Sequence, residues 1–162
     1  AVSNCLLLET DTISIPEKTH IKGNEYTVTK IEKKAFSYCR RLTNIEIPES
    51  VTSIGYSAFE NCSNLINIKI PVSVTSIGYS AFENCSSLIN IKIPVRVEKI
   101  EVSTFRNCSG LKNIEIPASV INIGYSAFAG CYNLDVVVDN SKDNVVVGED
   151  AFKGCKSVRY TK

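Results

Sequence analysis

A period of 23 residues runs through this chain and constrains its fold more than any other sequence feature. Phenylalanine, cysteine, leucine, proline and isoleucine each recur at that interval. The two most conspicuous columns are Phe36, Phe59, Phe82, Phe105, Phe128 and Phe152, and Cys39, Cys62, Cys85, Cys108, Cys131 and Cys155. Residues 51–71 and 74–94 differ at one position only. Such columns predict one structural unit repeated along the chain, in which stacked copies bury the apolar residues that a single copy would expose.

Each copy of the repeat has the pattern of one short coil of chain. Polar and apolar residues alternate over residues 44–47, which predicts a half-buried strand. Pro48, which lacks an amide hydrogen, ends that strand. The chain then runs extended to a turn at Gly55, and one tight helical turn places Phe59 in the core. A repeat of this length is typical of leucine-rich repeats. We therefore predict an α/β, right-handed leucine-rich-repeat solenoid, horseshoe-like, with a short parallel β-sheet on one face and turns with brief helical (3-10) pieces on the other.

Departures from the regular unit divide the chain into three parts. Residues 1–41 are predicted to hold an amino-terminal cap and an atypical long first repeat, with a hairpin insertion in which a Gly-Asn turn within residues 22–25 joins residues 19–21 and 26–28. Residues 42–133 hold four regular repeats. Residues 134–162 gain one residue and lose the proline, which predicts an atypical last repeat or cap. No signal-like segment opens the chain, so we expect a fragment of a longer protein.

Composition argues against several classes of function. Lysine and arginine number 18 against 17 acidic residues, a balance too even to attract nucleic acid by long-range charge. No apolar run approaches the roughly 18 residues of a membrane helix, so we expect no membrane insertion in this segment. One histidine and no acidic cluster leave little for acid–base or metal chemistry. We therefore predict no enzymatic activity, no catalytic or metal-binding residues and no cofactor.

The repeat motif is similar to that of a known family. Over residues 68–85 it reads Ile-Lys-Ile-Pro, then Val, Ile-Gly, Ala-Phe and Cys at fixed spacing. This motif resembles the BspA-like leucine-rich repeats of bacterial surface proteins, also found in protozoan parasites. Departures are Glu101 in place of glycine, Thr104 in place of alanine and Asn140 in place of proline. The resemblance implies a secreted or cell-surface module for adhesion and protein binding, with protein or glycan partners, in several relatives host extracellular-matrix or plasma proteins.

The cysteine column allows three interpretations. Equivalent cysteines of stacked coils would lie about 5 Å apart at Cα, but their parallel Cβ vectors disfavour disulfides. Zinc would need three or four converging ligands, and the sequence has neither a Cys-x-x-Cys pair nor a histidine cluster. We therefore expect free, buried thiols that pack as small apolar groups, with a disulfide framework and a metal site as the alternatives. Cys5 lies outside the column and is interpreted as a surface thiol or a cap residue.

The exposed positions of the predicted strands are the best candidate binding residues. They form two columns, Asn44, Asn67, Asn90 and Asn113, and Glu46, Lys69, Lys92 and Glu115. The strand faces of repeat solenoids serve as extended binding surfaces. The alternative is a solvated sheet, in which the asparagines bond along their own row and the mixed charges keep the surface soluble. The corresponding alternatives for function are an adhesin-like interaction module and a structural spacer or stalk without a ligand of its own.

Other residues are weaker candidates. A possible aromatic row on the side away from the strands consists of Tyr56, Tyr79 and Tyr125. Exposed aromatic residues are enriched in binding patches, although a tyrosine after glycine can also shield the backbone. His20, in the predicted hairpin, is interpreted as a surface residue. Asn-Cys-Ser triplets begin at Asn61, Asn84 and Asn107. They match the glycosylation pattern, but they also recur simply because the repeat recurs.

Overall fold

A computed structural model describes residues 11–162 as about six stacked coils, each one turn of a solenoid. The strands, in chain order, are β1 (Thr12–Ser14), β2 (Lys18–Ile21), β3 (Asn24–Thr27), β4 (Lys30–Ile31), β5 (Asn44–Glu46), β6 (Ser53–Ile54), β7 (Asn67–Lys69), β8 (Ser76–Ile77), β9 (Lys99–Ile100), β10 (Asn113–Ile116), β11 (Asn122–Ile123), β12 (Asp135–Val138), β13 (Val146–Val147) and β14 (Ser157–Tyr160). Within residues 11–162 the one helical segment is a 3-10 turn, Lys142–Asn144. The predicted leucine-rich-repeat solenoid is confirmed, with simple turns where most of the helical pieces were expected.

One face of the solenoid, called the strand face below, consists of parallel strands in which equivalent residues lie opposite each other. β5 pairs with β1 and β7, and β12 pairs with β10 and β14. Asn44 lies opposite Asn67, and Glu46 lies opposite Lys69. The residues between them point inward, as Ile45 does at 1% exposure. The alternation of the repeat therefore gives one apolar and one polar side to each strand.

Two further sides complete each coil. A second, narrower set of parallel strands pairs in the orders β4-β6-β8 and β9-β11-β13. The sequence predicted only extended chain there, because two residues are too short an alternation to indicate a strand. On the third side, called the turn side, backbone N–H groups donate to the following coil, for example from Phe59 to the C=O of Ala81 at 2.8 Å.

The phenylalanine column lies at the centre of the core. Consecutive rings stack with centroids 5.2–5.7 Å apart. Phe59, Phe82, Phe105 and Phe128 are fully buried, whereas Phe152 in the last coil is only partly buried. Each ring in the middle of the stack is covered on both sides by its neighbours. Apolar burial is therefore a property of the stack and not of any single coil.

The hairpin of the first coil lies outside this stack. β2 and β3 pair antiparallel, with Lys18 opposite Thr27 and Ile21 opposite Asn24. Lys22 and Gly23 connect them, and both have positive φ, 52° and 82°. Left-handed backbone at both central residues is the geometry of a two-residue hairpin turn, which explains the glycine at this position. Nearly all side chains of the hairpin are exposed.

The stack is interrupted at one place among the described coils, between residues 74–94 and 97–117. At the equivalent glycines a Cβ atom would lie 2.5–2.7 Å from a backbone nitrogen of the preceding coil, and these are Gly55, Gly78, Gly124 and Gly148. Glu101 occupies that position in the coil 97–117, and its Cβ does not fit so small a space. Accordingly β8 and β9 do not pair. Gly78 N–H donates to the C=O of Ile54 at 2.9 Å, but no such bond joins Glu101 to Ile77 in the described chain.

This interruption, called the seam below, reaches the strand face as well. Asn90 bridges back to Asn67, but no ladder joins residues 90–93 to β10. The turn side stays continuous across the seam. There Phe82 N–H donates to the C=O of Thr104 at 2.9 Å. With Glu101 in place of glycine, the two coils are therefore not paired on two sides of the solenoid, whereas the hydrogen bonds of the turn side remain.

Candidate functional site

The strand face presents every residue of the two predicted binding columns to solvent. All eight are exposed: Asn44, Glu46, Asn67, Lys69, Asn90, Lys92, Asn113 and Glu115. No side-chain hydrogen bond joins the four asparagines to one another in the described structure, in contrast to the self-bonded row that a purely structural column would form. Their amide groups therefore remain available to a ligand.

A groove of about 1050 Å³ lies over the carboxy-terminal part of the strand face. It brings together three residues of the predicted columns, Lys92, Asn113 and Glu115. Among the further residues that line the groove, Val137, Asp139 and Arg159 were not predicted from the repeat. The other five predicted residues lie on the strand face outside the groove, namely Asn44, Glu46, Asn67, Lys69 and Asn90. The predicted surface is therefore one face, but its concave part is confined to the later coils.

The residues that were missed lie in the coils where the repeat changes length. Glu115 lies opposite Val137, and Val137 lies opposite Arg159, so each step along this column is 22 residues. A strict period of 23 therefore assigns the wrong residues to the column. The alternation of apolar residues does indicate this shift from 23 to 22 residues, because Val136 and Val138 point into the core as Ile114 and Ile116 do.

Electrostatics distinguish the two parts of the strand face. In the amino-terminal part, Ser14 Oγ donates to Glu46 at 3.0 Å, and Lys69 Nζ lies 3.5 Å from Glu49. In the groove, Asp139 accepts a hydrogen bond from Thr161 and lies 3.4 Å from Lys162, which together lower its pKa below the ordinary value. Three groove residues have no ion-pair partner within residues 11–162, and these are Lys92, Glu115 and Arg159.

The tyrosine row is discontinuous. Tyr56 and Tyr79 stack face to face with centroids 4.8 Å apart, and Lys33 lies over the Tyr56 ring at 5.8 Å. Val102 separates this pair from Tyr125, which is half exposed. Most ring faces of the pair are therefore already in contact with protein groups, which leaves mainly ring edges for a ligand.

The asparagines of the Asn-Cys-Ser triplets form a ladder on the turn side. Asn84 Nδ2 donates to Asn61 Oδ1 at 3.0 Å, and Asn107 Nδ2 donates to Asn84 Oδ1 at 2.9 Å. All three have φ of 60°, a left-handed conformation that asparagine tolerates better than most residues. The structural interpretation of these triplets therefore has direct support.

His20 is exposed in the hairpin, with Nε2 at 4.0 Å from Glu25.

The cysteine column is mostly reduced and is buried except at Cys155, which is partly buried. Free thiols are present at Cys62, Cys85, Cys108, Cys131 and Cys155. In each of these the thiol donates to a phenylalanine carbonyl oxygen of the preceding coil, as Cys108 Sγ does to Phe82 at 3.1 Å. Burial raises the pKa of Cys131 to about 12 and that of Cys155 to about 11. Cys39 is disulfide-bonded, so the expectation of free thiols is wrong at that position. Cys5 lies outside the described residues.

Two other properties bear on the class of protein. No three side chains of the histidine, cysteine, aspartate or glutamate type come together as metal ligands within residues 11–162. None of the helical structure in the same residues is long and apolar enough to cross a bilayer.

Comparison with known proteins gives one family and several structural relatives. A model of the BspA type leucine rich repeat region matches residues 29–159 in six copies. A leucine rich cell surface protein of Faecalibacterium prausnitzii is 34% identical with a TM-score of 0.78, over 90% of this chain and 40% of that chain. A leucine-rich repeat protein of Bacteroides ovatus is 28% identical with a TM-score of 0.69, over 91% of this chain and 45% of that one.

A third relative is closer to this chain in length. The leucine rich repeat protein of T. pallidum is 27% identical with a TM-score of 0.77, over 91% of this chain and 78% of that chain. No curated protein matches the sequence significantly. The chain thus spans less than half the length of the Faecalibacterium and Bacteroides ovatus proteins.

Proposed function

Because this chain belongs to the family of BspA-type leucine-rich repeat proteins, we propose that it is an adhesin-like, non-enzymatic interaction module that binds a protein or glycan partner through its strand face. The observation that carries the proposal is the groove over Lys92, Asn113 and Glu115. It lies on the face that repeat solenoids use as an extended binding surface. No catalytic residues and no cofactor are part of this proposal.

We place the module at the cell surface or outside the cell. The Faecalibacterium relative is described as a cell surface protein. The disulfide at Cys39 is consistent with this location, because disulfides persist mainly in oxidising, extracellular compartments. Host extracellular-matrix and plasma proteins are the first partners to examine.

A spacer function is the second candidate. Residues 51–71 and 74–94 are nearly identical, and a stalk needs only coils that stack. Charges in the amino-terminal part of the strand face are also largely satisfied within the chain. A spacer would tolerate charge reversal anywhere on the strand face, whereas a binding module would not.

A binding screen discriminates these two functions. The purified chain is presented to arrays of extracellular-matrix proteins, plasma proteins and glycans, and each hit is titrated with salt. The variant Lys69→Glu with Lys92→Glu reverses two charges on the strand face. The matched control, Lys22→Glu with Lys142→Glu, makes the same charge change at exposed residues elsewhere. We expect a saturable hit that the first variant weakens and the control does not. Binding that both variants leave unchanged would reject the strand face, and an absence of hits would favour the spacer.

A further inference from the structure

The groove contains charges that the chain itself does not neutralise. Lys92, Glu115 and Arg159 are exposed and have no ion-pair partner within the described residues. Comparable residues nearby are paired, as Lys156 is with Asp135 at 2.7 Å. Three unpaired charges in one concavity are what a complementary ligand would neutralise.

The order of these charges along the solenoid follows from the strand register for Glu115 and Arg159, and from the repeat for Lys92. Glu115, Val137 and Arg159 lie opposite one another on β10, β12 and β14. Lys92 holds the equivalent position in the coil before β10. Glu115 and Arg159 are two strand spacings of about 4.8 Å apart. Lys92 lies on the other side of Glu115, across the seam. The column therefore reads positive, negative, apolar, positive.

The seam supplies the remaining features of the groove. Because residues 90–93 and β10 are not joined by a ladder, the strand face is open between them. Val95, which lines the groove and is 64% exposed, adds apolar surface beside Lys92. A groove with apolar side chains beside spaced charges suits an extended peptide of mixed charge that lies across the strands.

We propose that this groove binds an extended segment of a partner protein that lies across the strands and carries two acidic residues with a basic residue between them. In an extended chain, every second residue lies on the same side and about 7 Å from the next, so the long side chains at three such positions can reach Lys92, Glu115 and Arg159. The basic residue faces Glu115, and the acidic residues face Lys92 and Arg159. This inference rests on the proposed function, since it specifies the ligand of the same face.

Uniformly acidic polymers fit the groove less well. Glu115 lies between the two cations, so a ligand with negative charge along its whole length would place like charges together. The alternating pattern therefore favours a peptide of mixed charge over a sulfated or carboxylated glycan.

Fluorescence anisotropy of a labelled peptide tests the inference. The probe is Gly-Asp-Val-Lys-Val-Asp-Gly, and its charge-reversed counterpart is Gly-Lys-Val-Asp-Val-Lys-Gly. We expect saturable binding of the probe that is at least about tenfold tighter than binding of the counterpart and is lost in about 1 M NaCl. The variant Lys92→Glu with Arg159→Glu should reverse this preference. The control, Lys22→Glu with Lys142→Glu, should keep it.

Several results would overturn the inference. One is the absence of saturable probe binding, and another is equal binding of the two peptides. A third is a variant that loses the probe without gaining the counterpart, because charge complementarity predicts a swap. Capture of a natural partner that depends on Lys69 but not on Lys92 or Arg159 would reject this groove while leaving the proposed function of the strand face intact. A partner insensitive to every strand-face change would reject both.

Discussion

At the scale of single residues, the buried columns show how one side chain per coil builds a continuous core. Phe82 lies between Phe59 and Phe105, with centroids at 5.3 and 5.4 Å. Each central phenylalanine is therefore packed between the equivalent phenylalanines of the two neighbouring coils, and its contribution to stability depends on them. The half-buried Phe152 at the end of the column lacks a second covering ring.

Removal of one central ring should therefore be costly. We expect Phe82→Ala to lower the free energy of unfolding by about 3–5 kcal/mol, because it removes a fully buried aromatic side chain and leaves a cavity. Urea unfolding followed by circular dichroism measures the change. The control is Val72→Ala, since Val72 is 67% exposed and should change stability by less than about 0.5 kcal/mol. Equal stability of the two variants would mean that the phenylalanine column is not the core.

The buried thiols make stability dependent on alkaline pH. Burial raises the pKa of Cys131 to about 12, whereas an unfolded cysteine titrates near 8.5. Between these two values the folded chain binds more protons than the unfolded chain, so stability falls as the pH rises from about 9 toward 12. We expect Cys131→Ala to lose less stability than the parent between about pH 7.5 and pH 10.5 in urea unfolding, by up to about 1.4 kcal/mol per pH unit. Identical losses for parent and variant would contradict this assignment.

At the scale of structural elements, the seam shows that strand pairing here is controlled by residues outside the strands. β8 and β9 have the same length and similar residues as the pairs that do form. What differs is Glu101, directly after β9, because four other coils have a glycine at this position in close approach to the preceding backbone, namely Gly55, Gly78, Gly124 and Gly148. Loss of the close backbone contact at one position is therefore accompanied by loss of strand pairing on two sides of the coil.

Restoring glycine should close the seam. We expect Glu101→Gly to stabilise the chain by roughly 1 kcal/mol, because about two regained backbone hydrogen bonds outweigh the conformational entropy of glycine. Hydrogen exchange should slow at residues 99–101. The reciprocal variant, Gly78→Glu, should open a second seam and speed exchange at residues 76–78. Faster exchange in Glu101→Gly, or no effect of Gly78→Glu, would show that the glycine column does not control the stacking.

At the scale of the whole molecule, the repeat alone predicts most of the architecture. Because identical columns must stack in register, the parallel strand face and its exposed columns follow from the sequence, and the right-handed sense stays a prediction. The seam could not be predicted from the sequence, because its cause is the distance between the backbones of neighbouring coils. The alternation of polar and apolar residues does not indicate that distance. The groove is only half predictable. Lys92 and Glu115 obey the period of 23, whereas Val137 and Arg159 follow a step of 22 on this face.

The choice between a binding module and a spacer also concerns the whole molecule. A spacer needs the stack of phenylalanines and the glycine column, and nothing on its surface. A binding module also needs the strand face, including the groove that the seam borders. The two functions therefore make different demands on the same coils, and the strand face is where they diverge.

The most direct test of the strand-face account is a hydrogen-exchange footprint of the full chain with and without the partner captured in the binding screen. If the strand face binds the partner, we expect slower hydrogen exchange in the complex at residues 90–93, in β10 and in β12, with little change on the turn side. Protection confined to the turn side, around the asparagine ladder or the tyrosine pair, would contradict it.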